Sequence, residues 1–362
     1  MKILFVSGNL CNGGAQRVIS VVSSELAEKG HEVSLLLYSR NEKEYPLSEK
    51  VNVISLANSF EDYQKISGFN RIKLVRKVLK ELRPEIAIGF LEGGYGLYLS
   101  SFGLRKIKKV SSARINPKYI VEEKGLRAFI NKRWFKKSHA IVLQTESQRE
   151  FAPKSWQKKS VVIANPVSEK ALQCAKESQS ETCRKLIMVG RLDAQKNYSM
   201  AIDAIRLLKY EYPDIQLDIF GKGAMEQSLQ AEIVQKGVDK NVFLKGWTQN
   251  SIKELVEHDM FLMTSNFEGM PNALMEAMAV GLPVISTDCP TGPSDLIDNG
   301  VNGYLIPVSD AKVLAERIKD VIEMPKEKRI EMAKLAKLKM QDQFNNKVIA
   351  SQWEEMFENL LK

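Results

Sequence analysis

The sequence predicts an α/β protein built from two Rossmann-like domains in series. Short apolar runs of strand length alternate with amphipathic stretches of helix length, which is typical of βαβ units and a mainly parallel sheet. The 362 residues are too many for one ordinary domain and enough for two. Because open parallel sheets bind ligands beyond the carboxyl ends of their strands, we expect the two domains to face each other across a cleft that holds the site.

The first domain is expected to span residues 1–166. Its predicted strands run from Ile3 to Ser7, Val33 to Tyr38, Val51 to Leu56, Ile86 to Phe90 and Ala140 to Gln144. Amphipathic helices are predicted between them, notably from Ala15 to Lys29 and from Phe69 to Leu82. Pro166 is expected to end the series, because a proline biases the preceding residue away from helix.

A second domain is predicted over residues 183–340, after a polar linker at 167–184. It begins with an apolar strand at Lys185 and repeats the alternation of the first domain. Further strands are predicted at Gln216 to Phe220, Val242 to Lys245, Met260 to Thr264 and Val284 to Ser286, and helices near Tyr198, Met225, Ser251, Pro271 and Ala311. The last segment, 341–362, is expected to form a helix that packs back towards the first domain, since Trp353, Phe357 and Leu360 share one helical face.

Composition excludes several classes of protein. The hydrophobic fraction of 44% and the charged fraction of 27% match a soluble globular protein and exclude a disordered or collagen-like chain. Four cysteines without a Cys-x-x-Cys pair indicate reduced thiols, not a disulfide scaffold or a metal finger. No stretch approaches the roughly 18 to 20 apolar residues of a membrane-spanning helix. We therefore expect a cytoplasmic protein.

The net charge of +9 is distributed unevenly. Residues 1–165 contain 29 Lys and Arg against 15 Asp and Glu, whereas the remainder contains 24 against 29. A basic first half suggests an anionic partner: a nucleic acid, a phospholipid surface or a phosphorylated substrate. Charge alone does not choose among them.

The densest chemical signal lies between residues 263 and 283. A strand ends, a loop contains Glu268 and Gly269, and a helix is expected to begin near Pro271 and to end at Gly281. The free N–H groups and the positive dipole end of such a helix are suited to a phosphate or diphosphate. Glu268 and Glu276 could bind different hydroxyl groups of one sugar nucleotide. The alternative is that Glu276 only complements the N-terminal half of the helix and Glu268 is a solvated loop acid.

A second signal follows the first strand of the second domain. Arg191 and Lys196 lie five residues apart on one loop and could converge on an anion, since Arg offers a bidentate fork and Lys a point charge. The alternative is a surface pair between Arg191 and Asp193, with Lys196 in solvent.

Glycines mark two further turns. Gly13 and Gly14, which follow Asn12, would let the main chain of the first domain approach a ligand, although a simple tight turn explains them too. Gly221 is the same kind of signal but weaker, because the third glycine of a dinucleotide fingerprint is absent.

Missing motifs narrow the function. The sequence has no Gly-x4-Gly-Lys-Ser/Thr phosphate loop, no Asp-x-Asp and no zinc spacing among its three histidines. It has no recognisable nucleic-acid module with stacking aromatics. We therefore expect neither a bound metal nor a nucleic-acid partner.

These residues together resemble the GT-B retaining glycosyltransferases of family 4. The resemblance rests on Gly-Gly-Ala-Gln-Arg after the first strand, Gly-Arg-Leu with Lys-Asn after the first strand of the second domain, Phe-Gly-Lys-Gly, and Glu-Gly-Met-Pro leading to Glu276, in that order along nearly the whole chain. The segment from Cys289 to Asp295 is similar to members that extend lipid-linked glycans, capsules or exopolysaccharides in bacteria.

The resemblance implies the GT-B architecture and metal-independent transfer of a sugar, with retention, from a nucleotide diphosphate that is usually UDP. No cofactor is implied beyond this donor substrate. Arg191 and Lys196 would bind the diphosphate, Glu268 the donor-sugar hydroxyls and Glu276 the ribose. The remaining implied donor contacts are Gly13, Gly14, Gly221 and the backbone of Gly269, Met270, Pro271, Asn272 and Ala273. Glu268, Arg191 and Lys196 are thus the candidate catalytic residues. The resemblance does not decide between a covalent intermediate and same-face attack, so Glu268 is not assigned as a nucleophile.

One departure from the family concerns the first domain. Many relatives have a histidine near the donor sugar, where this chain has Ser111 to Pro117. Arg114 and Asn116 are the candidates for sugar or acceptor contacts at that place. A following helix groups Leu126, Phe129 and Trp134 among cations, which predicts contact with an anionic membrane surface, although the apolar face could instead pack in the domain.

The sequence thus predicts a glycosyltransferase at the inner face of the cell membrane. It would transfer a hexose or N-acetylhexosamine from a UDP-sugar to a polyprenyl-diphosphate-linked glycan. A soluble transferase acting on a small sugar acceptor and a non-catalytic sugar-nucleotide-binding protein are the alternatives.

Overall fold

The computed structural model describes residues 1–11, 13–41, 44–90, 92–174 and 181–362. It divides into two compact units, one formed by Met1–Pro166 with Asn346–Lys362 and one formed by Val167–Asn345. Part of the predicted linker, residues 175–180, lies outside the described residues, and so does Asn12 of the predicted glycine turn. The first unit thus includes both ends of the chain.

The first unit contains a seven-stranded parallel sheet in the order β3-β2-β1-β4-β5-β6-β7. Its strands are β1 (Lys2–Ser7), β2 (Glu32–Leu37), β3 (Asn52–Ser55), β4 (Ile86–Phe90), β5 (Lys108–Ser112), β6 (Ala140–Leu143) and β7 (Ser160–Val162). The central strands are buried along almost their whole length, because apolar clusters cover both faces of the sheet.

The helices of the first unit follow the strands as crossovers. They are α1 (Gly14–Glu28), α2 (Phe60–Lys65), α3 (Gly68–Leu82), α4 (Glu92–Ser100), α5 (Pro117–Glu122), α6 (Leu126–Lys137), α7 (Glu146–Phe151) and α8 (Lys154–Gln157). Local sequence explains several starts: the Ser67 side chain caps α3 by accepting from the Asn70 N–H, and Thr145 caps α7 by accepting from the Gln148 N–H.

The second unit repeats this design with six parallel strands in the order β10-β9-β8-β11-β12-β13. Its strands are β8 (Lys185–Val189), β9 (Gln216–Phe220), β10 (Val242–Gly246), β11 (Met260–Met263), β12 (Val284–Thr287) and β13 (Tyr304–Ile306). Its helices are α9 (Glu169–Gln173), α10 (Tyr198–Leu208), α11 (Glu226–Gln235), α12 (Ser251–Glu257), α13 (Asn272–Val280), α14 (Pro293–Leu296), α15 (Ala311–Glu323) and α16 (Lys326–Gln343). The predicted fold class of two Rossmann-like halves is therefore confirmed.

The last helix, α17 (Asn346–Leu361), belongs to the first unit. Its Trp353 side chain is fully buried and its ring centroid lies 5.8 Å from that of Phe90 at the end of β4. Phe357 and Ile349 lie in the same core cluster. The apolar stripe read from the sequence thus packs on the sheet of the first unit.

In both units the strand order reverses beside the first strand. Chain connections leave β1 and β4 in opposite directions in the first sheet, and β8 and β11 in the second. Ligands of open α/β sheets bind outside the carboxyl ends of such a pair. A ligand-binding site of the second unit is therefore expected at the loops after β8 and β11.

None of the helices among the described residues is both long enough and apolar enough to cross a bilayer.

Candidate functional site

The site in the second unit is centred on Glu268, in the loop between β11 and α13. Its Oε1 atom lies 2.6 Å from Nζ of Lys196 and accepts a hydrogen bond of 2.7 Å from the Ser265 hydroxyl. The two charged side chains are 8% and 18% exposed. The sequence identified both residues but not their pairing, and Lys196 is not the solvated side chain of the alternative reading.

The Lys196 loop and the Glu268 loop are joined by hydrogen bonds that involve backbone groups. The Thr264 hydroxyl donates to the carbonyl oxygens of Lys196 and Asn197, each at 2.9 Å. The Asn266 N–H donates to the Gln195 carbonyl at 2.8 Å, and the Gln195 side-chain amide donates to the Phe267 carbonyl at 2.9 Å. These hydrogen bonds therefore hold the two loops that position the ion pair.

A third loop, after β12, supports the Glu268 loop from behind. The Thr287 hydroxyl donates to the Ser265 carbonyl at 2.7 Å, and the Thr291 hydroxyl donates to the Glu268 carbonyl. Gly292 has φ +99°, and a Cβ there would lie 2.8 Å from the Gly269 carbonyl oxygen. Only a glycine allows this close approach. These hydrogen bonds and this close approach were not predicted from the sequence, although the family resemblance rested in part on the segment that contains Thr291 and Gly292.

Cys289 lies behind the same loop and is buried. Burial, followed by the negative charge of Glu268, raises the pKa of its thiol to about 12. The thiol is thus held in its neutral, unreactive form at neutral pH.

Helix α13, which follows the Glu268 loop, begins and ends close to the predicted positions. It begins at Asn272, directly after Pro271, and ends at Gly281, whose φ of +85° is the left-handed helix cap. Met270 and Pro271 are buried, whereas Asn272 and Ala273 are partly exposed. Glu276 lies in the second turn and is partly exposed. No acidic residue lies in the first turn, so the positive dipole end is not neutralised by the helix itself.

Arg191 lies on the same strand-end loop as Lys196 but has a different environment. Its side chain is 76% exposed and pairs with Asp193 at 3.2 Å, which is the surface pair of the alternative reading. Such an exposed pair contributes little stability, so the guanidinium can turn to another anion at small cost.

The glycine after β9 has a steric role. A Cβ at Gly221 would lie 1.8 Å from the Gly190 carbonyl oxygen, and one at Gly223 would lie 2.2 Å from the Leu192 carbonyl oxygen. Both glycines therefore let the loops after β8 and β9 pack against each other.

The predicted residues of the first unit lie at the carboxyl ends of its strands. Gly13 precedes α1 as its N-cap, and Gly14 is the first helical residue. Asn116 is buried, and its side chain caps α5 by accepting from the Lys118 N–H at 2.9 Å. Arg114 is buried and donates to the Asn165 side chain at 2.9 Å. The capping bond gives Asn116 a structural role in α5.

Among the described residues, no group of three or more His, Cys, Asp or Glu side chains lies close enough to hold a metal ion.

Comparison with known proteins adds a family match and a fold match. Residues 170–339 match the family model described as glycosyl transferases group 1. An uncharacterized glycosyltransferase of Methanocaldococcus jannaschii is 29% identical over 245 residues, which cover 62% of this chain and 60% of that protein. The aligned segment thus covers less than two thirds of this relative.

A second relative is similar along most of its length. It is the Campylobacter jejuni GalNAc-alpha-(1->4)-GalNAc-alpha-(1->3)-diNAcBac-PP-undecaprenol alpha-1,4-N-acetyl-D-galactosaminyltransferase, 28% identical over 328 residues that cover 89% of each chain. Among solved structures, Anabaena HepE in complex with UDP-glucose matches with a TM-score of 0.78 at 17% identity, over 99% of this chain and 100% of that chain. The protein thus has the GT-B fold, and its residues 170–339 are similar to the glycosyl transferases group 1 family.

Proposed function

We propose that this chain is a retaining glycosyltransferase of family 4 that transfers a hexose or N-acetylhexosamine from a UDP-sugar to a polyprenyl-diphosphate-linked glycan. It would act in the assembly of a bacterial polysaccharide or glycoprotein glycan. The observation that carries the proposal is the largely buried pair of Lys196 and Glu268 beside the N-terminus of α13. The three features provide a cation, a carboxylate and backbone N–H donors at one strand-end site.

Each feature suits one part of a sugar nucleotide. An ammonium has three N–H donors, and the contact with Glu268 accounts for one of them at Lys196. The others, with the N–H groups of Gly269 and Ala273 and the exposed charge of Arg191, would stabilise the negative charge that develops on the leaving diphosphate. In this way the chain's own cations would neutralise the leaving group without a metal.

Glu268 would accept hydrogen bonds from hydroxyl groups of the donor sugar. Because Lys196 and Ser265 already donate to its Oε1, the lone pairs of that oxygen are engaged, which favours a binding role over nucleophilic attack. Glu276, one to two helical turns further on, would bind the ribose. Gly13 and Gly14 would bring the main chain of the first unit to the diphosphate.

The acceptor and membrane parts of the proposal rest on different support. The Campylobacter relative is named for a substrate that is linked to undecaprenol. In the first unit, α5 and α6 expose apolar side chains among cations, which we call the α5–α6 surface. Its exposed apolar residues are Tyr119, Val121, Leu126 and Phe129, and its exposed cations are Lys118, Lys124, Arg127, Arg133, Lys136 and Lys137. Such a surface suits an anionic lipid interface, where the acceptor would be presented.

The first test is UDP release from UDP-glucose, UDP-galactose, UDP-N-acetylglucosamine and UDP-N-acetylgalactosamine, with and without a bacterial lipid-linked glycan extract. We expect release from one donor that requires the extract. Glu268→Ala should lower it by about a hundredfold or more. Glu257→Gln is the matched control, because this glutamate is exposed on α12 and pairs only loosely with Lys253, at 3.6 Å.

The remaining outcomes decide against parts of the proposal. Release with a small sugar acceptor and no extract would indicate the soluble transferase. Saturable UDP-sugar binding without any release would indicate a binding protein without catalysis. The anomeric configuration of the product, read by NMR, tests retention directly.

A further inference from the structure

Tyr198 is a buried hydroxyl beside the candidate site that the protein itself leaves unused. It is the first residue of α10, and its side chain is 2% exposed. Its hydroxyl makes no hydrogen bond with any other residue that the structure describes. Buried tyrosine hydroxyls usually have a partner, as Tyr212 in the same unit shows by donating to Glu323 Oε1 at 2.8 Å. Tyr198 therefore has a donor to offer to a ligand.

The Tyr198 hydroxyl lies beside the aliphatic stem of Lys196. Both side chains lie against Gly190, the residue that directly follows β8. A Cβ on Gly190 would lie 3.0 Å from Tyr198 Oη and 3.2 Å from Lys196 Cε, so a larger residue there would crowd both. The hydroxyl is thus placed at the carboxyl end of β8, close to the carbon that bears the Lys196 ammonium.

The hydroxyl oxygen is buried but is not sealed from solvent. Some polar side-chain atoms of the described chain, such as Nε of Arg114, have neither a hydrogen-bond partner nor accessible surface. Tyr198 Oη is not one of these atoms. Because Oη also has no partner, the small accessible surface of this side chain includes its oxygen. A ligand atom can therefore reach it.

The charged groups that act on this hydroxyl belong to the candidate site. Burial raises the pKa of the Tyr198 hydroxyl, and the negative charges of Asp193 and Glu268 raise it further. The positive charge of Arg191 acts in the opposite direction. All three charged residues lie in the loops after β8 and β11. The hydroxyl therefore lies among the charges of the site and stays protonated at neutral pH, as a donor without a charge of its own.

We propose that Tyr198 is a further donor-binding residue, whose hydroxyl donates a hydrogen bond to the phosphoryl group that Lys196 neutralises in a nucleoside diphosphate. The inference rests on the proposed function, since it adds a contact to the same sugar-nucleotide site. The ammonium of Lys196, one bond beyond Cε, attracts an anion to this place, which assigns a phosphoryl oxygen and not a sugar hydroxyl to Oη. A neutral donor adds a hydrogen bond there without placing a second cation beside Lys196.

The test is Tyr198→Phe, which removes one oxygen and keeps the ring. Calorimetric titration of the full chain with UDP, UDP-glucose and inorganic pyrophosphate measures binding, and urea denaturation without ligand measures stability. We expect the affinity for all three ligands to fall by about tenfold or more, because a hydrogen bond to a charged group is lost. The urea midpoint should stay the same or rise, because no hydrogen bond within the protein is lost.

Tyr212→Phe is the matched control, because it makes the same chemical change at a buried hydroxyl that has a partner in the protein. This variant should leave the affinity for UDP unchanged and lower the urea midpoint. The opposite responses of the two variants would distinguish a hydroxyl that binds a ligand from one that supports the fold.

The affinities of Tyr198→Phe decide the inference. Unchanged affinity for UDP and pyrophosphate overturns it, whatever the urea midpoint does. A loss confined to UDP-glucose assigns the hydroxyl to the sugar and overturns the phosphoryl contact. A loss shared by all three ligands supports it.

The same titrations separate the inference from the proposed function. If the wild-type chain binds UDP and transfers sugar while Tyr198→Phe changes neither, the inference fails and the proposed function stands. If UDP binding depends on Tyr198 but no sugar is transferred, the inference stands and the transferase proposal fails. If the wild-type chain binds neither UDP nor pyrophosphate, the donor site itself is wrong and both fail.

Discussion

The free energy of a mostly buried ion pair is dominated by what happens when one partner is removed. Lys196 and Glu268 are joined by a single 2.6 Å contact in an environment from which most water is excluded. Their mutual attraction offsets the cost of desolvating two charges, so the pair adds little net stability, but a lone charge there would be strongly destabilising. The pair therefore keeps two opposite charges at the site and adds little to the stability of the protein.

This asymmetry gives a prediction for Lys196→Met. The variant should lower the free energy of unfolding by about 3–5 kcal/mol, because Glu268 is left buried and unpaired. Adding Glu268→Gln in the same chain should recover much of that loss by removing the stranded charge, while UDP release stays abolished in both variants. Urea denaturation measures this, and a double variant less stable than Lys196→Met would contradict the account.

A second buried charge, Asp218 on β9, predicts a pH dependence. Burial raises the pKa of its carboxyl, but hydrogen bonds from His258 and Gln216 and the charge of Lys245 outweigh burial, so the pKa lies below its usual 3.8. A carboxyl whose pKa is lowered by folding stabilises the protein above its unfolded pKa, and the contribution disappears as pH falls through the folded pKa.

Asp218→Asn should therefore destabilise the protein at pH 7, and the deficit should shrink as pH falls through the lowered pKa of the folded wild-type carboxyl, because that carboxyl then becomes protonated. Urea midpoints at pH 7 and at a pH below that lowered pKa test this. Asp239→Asn, at an exposed position before β10, serves as the control that should show no such change. An Asp218→Asn deficit that is the same at both pH values would show that shape, not charge, sets the cost.

At the scale of elements, α6 is divided between two environments. The sequence placed Leu126, Phe129 and Trp134 on one apolar face, but Trp134 is buried while Leu126 and Phe129 are 76% and 54% exposed. The glycines of α4 explain the difference: a Cβ at Gly94 would lie 2.6 Å from Nε1 of Trp134, so only a glycine gives the indole its space. The exposed residues Leu126 and Phe129 belong to the α5–α6 surface.

We expect that exposed half to bind anionic vesicles. The double variant Leu126→Ser and Phe129→Ser should weaken flotation with vesicles of phosphatidylglycerol and phosphatidylcholine by at least about tenfold, because two apolar side chains no longer enter the interface. The control replaces two exposed apolar residues of the second unit, Leu207 and Tyr210, with serine. Equal recovery of wild-type chain with and without anionic lipid would rule out the membrane contact.

Strand β5 was not predicted from the sequence, for a physical reason. Strand β5 reads Lys-Lys-Val-Ser-Ser and contains one apolar residue, so no hydrophobic pattern marks it. Pairing with β4 and β6 on either side places it in the sheet, and its two serines are buried. Apolar runs such as β1 and β11 could be predicted because burial on both faces imposes its own composition.

The residues of the candidate site likewise differ in whether they could be predicted from the sequence. Glu268 and Lys196 could be predicted because charged residues at strand ends of a Rossmann-like sheet are a local signal. Thr291 could not, because its hydrogen bond to the Glu268 carbonyl depends on how two separate loops meet in the folded unit. The hydrogen bond of Arg114 depends likewise on Asn165, which is 51 residues away in sequence.

At the scale of the whole molecule, the C-terminal helix belongs to the same unit as the N-terminal strand. Helix α17 packs on α1, and its Trp353 contacts the rings of Phe5 and Phe90 on the two strands that flank the point where the strand order reverses. The last 17 residues therefore complete the core under the carboxyl ends of β1 and β4. The ring centroid of the same indole lies 5.8 Å from the guanidinium carbon of Arg114, so the end of the chain also packs beside the loop after β5.

This arrangement predicts that Trp353→Ala destabilises one unit selectively. Replacing a fully buried tryptophan by alanine costs about 3–5 kcal/mol, which corresponds to amide exchange at least about a hundredfold faster where that unit's opening limits exchange. Hydrogen exchange with mass spectrometry should show this acceleration in peptides from β1 and β4 and not in those from β8 and β11. Trp247→Ala, at a tryptophan of the second unit that is 59% exposed, should change neither set. Acceleration spread equally over both units would mean that they unfold as one cooperative body, and the selective role of α17 would then be wrong.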